Sequence, residues 1–287
     1  MWFDQILVYP LLNVLMAIYA VIPGHDFGIA VIIITVIIRL ILWPIVGKQL
    51  RSQKKMQELQ PEISKIRAQT KGDKQKESQM LMELYKEREI NPFSSCLPLL
   101  IQLPFLFALF LVFKHATGNV NDMISQLYTS IAHLPYMKTV IAHPGDFKPE
   151  LFGVINMAKP SLILAVLAGI TQFIQAKMLI PKEVDKEDQQ ARMTNMMTLL
   201  FPFLTLIIAL RLPSALALYW TTTTLVAIFQ QWWIINRETE KMETIKLTNK
   251  AGKKKAAPAK ELTASTNDSN PNPKKSKNKK TKKGKRS

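Results

Sequence analysis

The chain has 287 residues, 48% of them hydrophobic, with 38 Lys/Arg against 21 Asp/Glu, a formal net charge of +17 and a mean hydropathy of only +0.06. Long apolar runs alternate with lysine-rich stretches, which excludes an ordinary soluble domain and fits a polytopic membrane protein with basic aqueous parts. One cysteine excludes a disulfide framework, and Cys96, at the start of an apolar run, reads as a small packing residue.

The start, MWFDQ, has neither a positive n-region nor an A-x-A site, so no cleavable signal peptide is expected. Residues 2–22 are apolar but broken by Asp4, Gln5, Pro10 and Asn13. Two readings stay open, a further span or an interfacial helix. The crowding of polar residues into the first half, with Trp2, Phe3 and Tyr9 suited to a headgroup boundary, favours a helix lying on the membrane within residues 1–24. Pro23-Gly24-His25 ends it.

Residues 25–47 are expected to form the first transmembrane helix. Ile29 to Gly47 gives about 28 Å of helix, the thickness of a hydrocarbon core. Arg39 sits in its middle, at a cost of roughly 2.5 to over 10 kcal/mol if it faced lipid. Snorkelling falls short, because Gly47 is about 12 Å further along the axis. A buried ion pair fails too, since none of the five strongly apolar segments holds Asp or Glu. A polar, hydrated cavity remains, with Thr35 and Trp43 one turn either side on the same face.

Residues 48–91 are polar and helix-prone and carry 11 Lys/Arg. The positive-inside rule makes them cytoplasmic. Pro61 as a helix start and Lys71-Gly72-Asp73 as a turn predict a helical hairpin, with Ile63, Ile66, Met80, Leu81, Leu84 and Tyr85 as its few apolar positions. Four further spans are predicted within residues 92–235, at about 94–113, 161–180, 193–210 and 213–235. Residues 114–160 read as an irregular external loop. Its histidines His115, His133 and His143 have no metal-ligand spacing.

The later spans carry neutral polar groups. Ala168, Thr171, Gln172 and Gln175 share a face, and Asn195, Thr198, Pro202 and Thr205 recur at helical period. The last span holds Tyr219, Trp220, Thr221 to Thr224, Gln230 and Gln231. These groups suit either a shared cavity or helix-to-helix glue, and for the threonine run glue is favoured. From Asn236 onward, 17 Lys/Arg against five Asp/Glu predict a disordered cytoplasmic tail. Such a tail fits anionic lipid or a polyanion such as ribosomal RNA.

No phosphate-binding loop, HExxH or nucleophile elbow occurs, so neither an enzyme nor a cofactor is expected. The absence of intramembrane carboxylates and of inverted repeats counts against a transporter or pore, which is the alternative reading.

Five stretches carry a resemblance: TVIIRLILWPI around Arg39, MQELQPEISKIR, NPFSSCLPLLIQLPFLFAL, ITQFIQAKM and LPSALALYWTTTTL. In order and spacing they resemble the YidC/Oxa family of membrane protein insertases in its short five-span bacterial form. The resemblance implies an all-α protein of the bacterial plasma membrane, with an external amphipathic helix and five spans around a hydrophilic groove closed to the outside. Its groove arginine would be Arg39. Gln175 and Trp220 match groove positions, and Tyr219 and Gln172 fall near the substrate path. Nascent membrane proteins, the ribosome and a Sec-type translocon are the implied partners. Arg211 departs from the pattern by putting a positive charge at the external turn, and the lack of a large external domain fits the minimal form.

Overall fold

The computed structural model describes residues 2–70, 73–91, 97–180 and 189–255; of these, 97–101, 189–191, 194, 235 and 237–255 are described as backbone only. The chain divides into two units, 1–239 and 240–287. Within the second, residues 240–255 are helical.

A π-helical turn, Asp4–Val8, leads into α1, Tyr9–Val21. Asn13 does not face a headgroup boundary. It is buried, and its Nδ2 donates to the Tyr9 carbonyl at 2.9 Å and to the Gln126 carbonyl at 3.0 Å, while its Oδ1 accepts from the Tyr128 N–H at 2.6 Å. A polar side chain in this apolar helix is satisfied by backbone from more than a hundred residues away.

The helix α2, Phe27–Glu58, is continuous over 32 residues. Asp26 caps it, accepting from the Ile29 N–H at 2.8 Å and so satisfying one of the free donors of the first turn. It does not stop at Gly47, because Lys48 to Glu58 contains neither Gly nor Pro and is rich in Lys, Gln, Met and Glu. The expected helical hairpin then follows as α3, Gln60–Gln69, and α4, Lys74–Glu87, with Asp73 accepting from the Lys76 N–H at 2.9 Å. Lys71 and Gly72 lie outside the described residues. Leu59, Ile63 and Leu84 form a small separate core joined by Met56, Ile66, Leu81, Tyr85 and Ile90; Met80 is not in it. The Arg88–Glu62 ion pair at 3.0 Å joins the two arms, but exposed pairs of this kind contribute only about 0.2–1 kcal/mol.

The remaining long helices are α5 (Leu97–Thr117), α9 (Leu162–Leu179), α10 (Gln189–Ala209) and α11 (Ser214–Lys255). The expected start of the second span, Ser94 to Cys96, lies outside the described residues. The last helix runs twenty residues beyond Ile235, where a disordered tail was expected. Lys, Glu, Met and Leu favour helix, and Glu238/Lys241 and Glu243/Lys246 have i,i+3 spacing.

Segment 114–160 is not an irregular loop. It forms α6 (Val120–Ser125), α7 (Thr129–Ala132), α8 (Pro135–Ala142) and an antiparallel ladder of β1 (Glu150–Leu151) with β2 (Ile155–Asn156). Met123, Met137, Val140, Phe147, Leu151 and Met157 from it are buried in the main core with α1, α2, α5 and the start of α11. Low charge together with recurring large apolar residues was the signal that this segment packs. His115 and His133 are held by Gln126 and by the Thr129 carbonyl.

Among the described residues, three helices are long and apolar enough to cross a membrane: Asp4–Val21, Phe27–Glu58 and Leu162–Leu179. Gln102–Thr117 and Asn195–Ala209 are shorter apolar helices. In α11, the threonine run and Gln230-Gln231 interrupt the apolar stretch. Among the described residues the chain is thus that of an all-α membrane protein apart from one two-stranded ladder.

Candidate substrate groove

Arg39 projects from the apolar stretch of α2 toward α11, where its Nε donates to Thr223 Oγ1 at 2.5 Å. Tyr219 lies one turn earlier on α11, with its hydroxyl within hydrogen-bonding reach of Thr223 and close enough to Arg39 to feel its charge. Gln102 Nε2 of α5 donates to the Tyr219 hydroxyl at 2.6 Å. A polar chain of Gln102, Tyr219, Thr223 and Arg39 therefore joins three helices. Among the described residues, no carboxylate pairs with Arg39. Hydroxyl and phenol groups solvate a guanidinium but do not neutralise it, so a net positive charge persists here.

A second polar link joins α9 to α11. Gln172 Oε1 accepts from Trp220 Nε1 at 3.2 Å and from Thr224 Oγ1 at 3.4 Å. A third lies further along α2, where Gln230 Nε2 donates to the Trp43 carbonyl at 2.9 Å, beside Pro44. Because Pro44 has no N–H, it leaves the Leu40 carbonyl without its in-helix donor; Gln230 serves a different carbonyl, that of Trp43.

The expected site residues divide accordingly. Arg39 and Tyr219 belong to the α2–α11 link, and Gln172 and Trp220 to the separate α9–α11 link. Thr35 is buried, and its hydroxyl donates to the Val31 carbonyl of its own helix at 2.6 Å. Gln175 is half-buried one turn beyond Gln172, with no hydrogen bond to Arg39, Gln172, Tyr219 or Trp220 among the described residues. Thr171, Thr205 and Thr221 also bond their own helices. The threonine run therefore splits: Thr221 bonds its own helix, while Thr223 and Thr224 bridge to other helices. Nothing local singles out Thr223, because four consecutive threonines cover every side of a helix. Its i+4 spacing from Tyr219 was the one available signal.

Comparison with known proteins decides what kind of membrane protein carries this layer. A family model described as 60Kd inner membrane protein matches residues 17–242. The chain belongs to the YidC/Oxa insertase family. It is 37% identical over 212 residues to a membrane protein insertase YidC of Fusobacterium nucleatum, covering 74% of this chain and 87% of that one. A YidC insertase of Clostridium tetani is likewise 37% identical, over 208 residues, covering 72% and 81%. With a YidC insertase of Methylobacillus flagellatus the match is 32% over 244 residues, 85% of this chain but 38% of that longer protein. As a YidC/Oxa family member, the chain has a membrane protein insertase role, and the polar layer around Arg39 is the place to look for how it works.

Proposed function

We propose that Arg39, Thr35, Gln172, Gln175, Tyr219 and Trp220 belong to a hydrophilic groove enclosed by five spans, at 25–47, about 94–113, 161–180, 193–210 and 213–235. Residues 1–24 form its external interfacial helix. The hairpin 48–91, residues 181–192 and the tail face the cytoplasm, as their positive charge directs. The groove opens to the cytoplasm and to lipid. One observation carries this reading: a guanidinium in an apolar helix whose neighbours are a threonine hydroxyl and a tyrosine phenol, with no carboxylate among the described residues.

The physics follows from desolvation. A polar or acidic segment of a nascent membrane protein pays heavily to enter hydrocarbon. In the groove, Arg39 attracts it and the amides and hydroxyls offer hydrogen bonds, so it crosses part of the bilayer without meeting lipid. The client's apolar helix then leaves sideways, driven by its own hydrophobic burial. The chain acts alone or with a Sec-type translocon, and no nucleotide takes part in its own step.

Photo-crosslinkers placed at Trp220 and at the exposed Ile207 of α10 test this on a stalled single-span client. Trp220 should give adducts several-fold more abundant than Ile207. Equal yields from the two positions would sink the groove, and a transporter would give no client adduct at either.

The tail contributes ribosome affinity through phosphate contacts, and it also meets anionic lipid. Truncation after Asn249 should weaken ribosome co-sedimentation by about tenfold near physiological salt, with the remaining binding less salt-dependent. Binding by the full chain that stays unchanged across a salt series would reject the idea.

A further inference from the structure

Segment 149–161 knots together the starts of three long helices. The Phe152 N–H donates to the Asp26 carboxylate that caps α2. Ser214 N–H donates to the Lys159 carbonyl at 3.0 Å and Ala215 N–H to the Met157 carbonyl at 3.1 Å, which fixes the start of α11. The helix α9 begins immediately after, at Leu162. From this knot the β1–β2 turn carries Phe152 and Val154 outward, 71% and 82% exposed, although the preceding Leu151 is buried. Phe152 is held at φ 52°, an uncommon conformation for a bulky residue.

An apolar pair on a strained, well-anchored tip requires a partner. We propose that the 152–154 turn is a lipid contact, seating Phe152 and Val154 at the headgroup–acyl boundary of the leaflet where α2, α9 and α11 begin. Two observations favour lipid over protein. Eight residues after the tip come the exposed Leu162 and Ile163, the apolar residues with which α9 starts its crossing. Lys148, Lys159 and Arg211 are exposed at the same end, where lipid phosphates lie, three cations against the exposed Asp146, while Glu150 of the ladder is half-buried. Amphipathic interfacial anchors pair apolar insertion with basic flanks in this way. Arg211, unexpected at an external turn, acquires a partner in the headgroup layer.

A nitroxide attached at V154C, in a C96S background, tests the proposal in vesicles of phosphatidylcholine and phosphatidylglycerol. Its collision rates with lipid-soluble oxygen and with a water-soluble nickel chelate are compared with those at G145C, an exposed loop position where an added Cβ meets nothing. The oxygen-to-nickel ratio at V154C should exceed that at G145C several-fold, and F152S should bring it down toward the G145C value. Two results would overturn the proposal: a nickel-dominated signal at V154C, which is a tip in water, or suppression of both collisions, which is a tip covered by protein. Both variants change exposed side chains, so a folded protein is expected in each case.

Discussion

Arg39→Ala will lose insertion of clients with acidic external segments, whereas Arg39→Lys will retain much of it. The two substitutions separate charge from packing. Lysine keeps the positive charge and a donor for Thr223 Oγ1, but not the planar fork. Alanine removes both, yet makes α2 more comfortable in lipid on any insertion scale. The Thr223 hydroxyl loses a donor rather than an acceptor, and it can turn to a carbonyl of its own helix as Thr221 does. The Ala variant should therefore remain folded and membrane-integrated. A charge-assisted contact of this kind contributes about 1.5–3 kcal/mol, so insertion of acidic clients should fall roughly ten- to a hundredfold. Clients without acidic segments should be less affected. Insertion of acidic clients by the Ala variant at the wild-type level, or equal misfolding of the Ala and Lys variants, would make Arg39 a structural residue.

A pair of glycine substitutions on the same helix should have opposite outcomes. A Cβ added at Gly28 would lie 2.5 Å from Leu151 Cβ and Cδ1, so Gly28→Ala forces α2 away from the ladder that segment 114–160 builds on it. Overpacking of this kind costs about 1–3 kcal/mol. A Cβ at Gly47 meets Ile234 Cδ1 at 3.6 Å, an ordinary contact, and Gly47→Ala replaces a poor helix former within α2, worth up to about 1 kcal/mol in favour of folding. Thermal denaturation in detergent should show Gly28→Ala melting lower than wild type and Gly47→Ala melting no lower. Equal melting temperatures would mean that segment 114–160 yields freely at Leu151.

Membrane class, the stranded charge at Arg39, the helical hairpin and the family were all legible in the chain itself. Each rests on a local property: the length of an apolar run, a charge within it, Pro61 and Asp73 at helix starts, or contiguous motifs. The tertiary structure alone decided what Arg39 meets, since Thr223 is 184 residues away and its neighbours in sequence are also threonines. It alone decided that Asn13 is buried against Gln126 and Tyr128, and that residues 114–160 form a packed lobe over α1 and α2. It also sorted the threonines into those bonded to their own helix and those bridging to another. Periodicity specifies which face of a helix is apolar, but not which distant helix will cover it. Partners for buried polar groups are chosen by that long-range packing, because an unpaired donor or acceptor in a dry interior costs more than any local preference supplies.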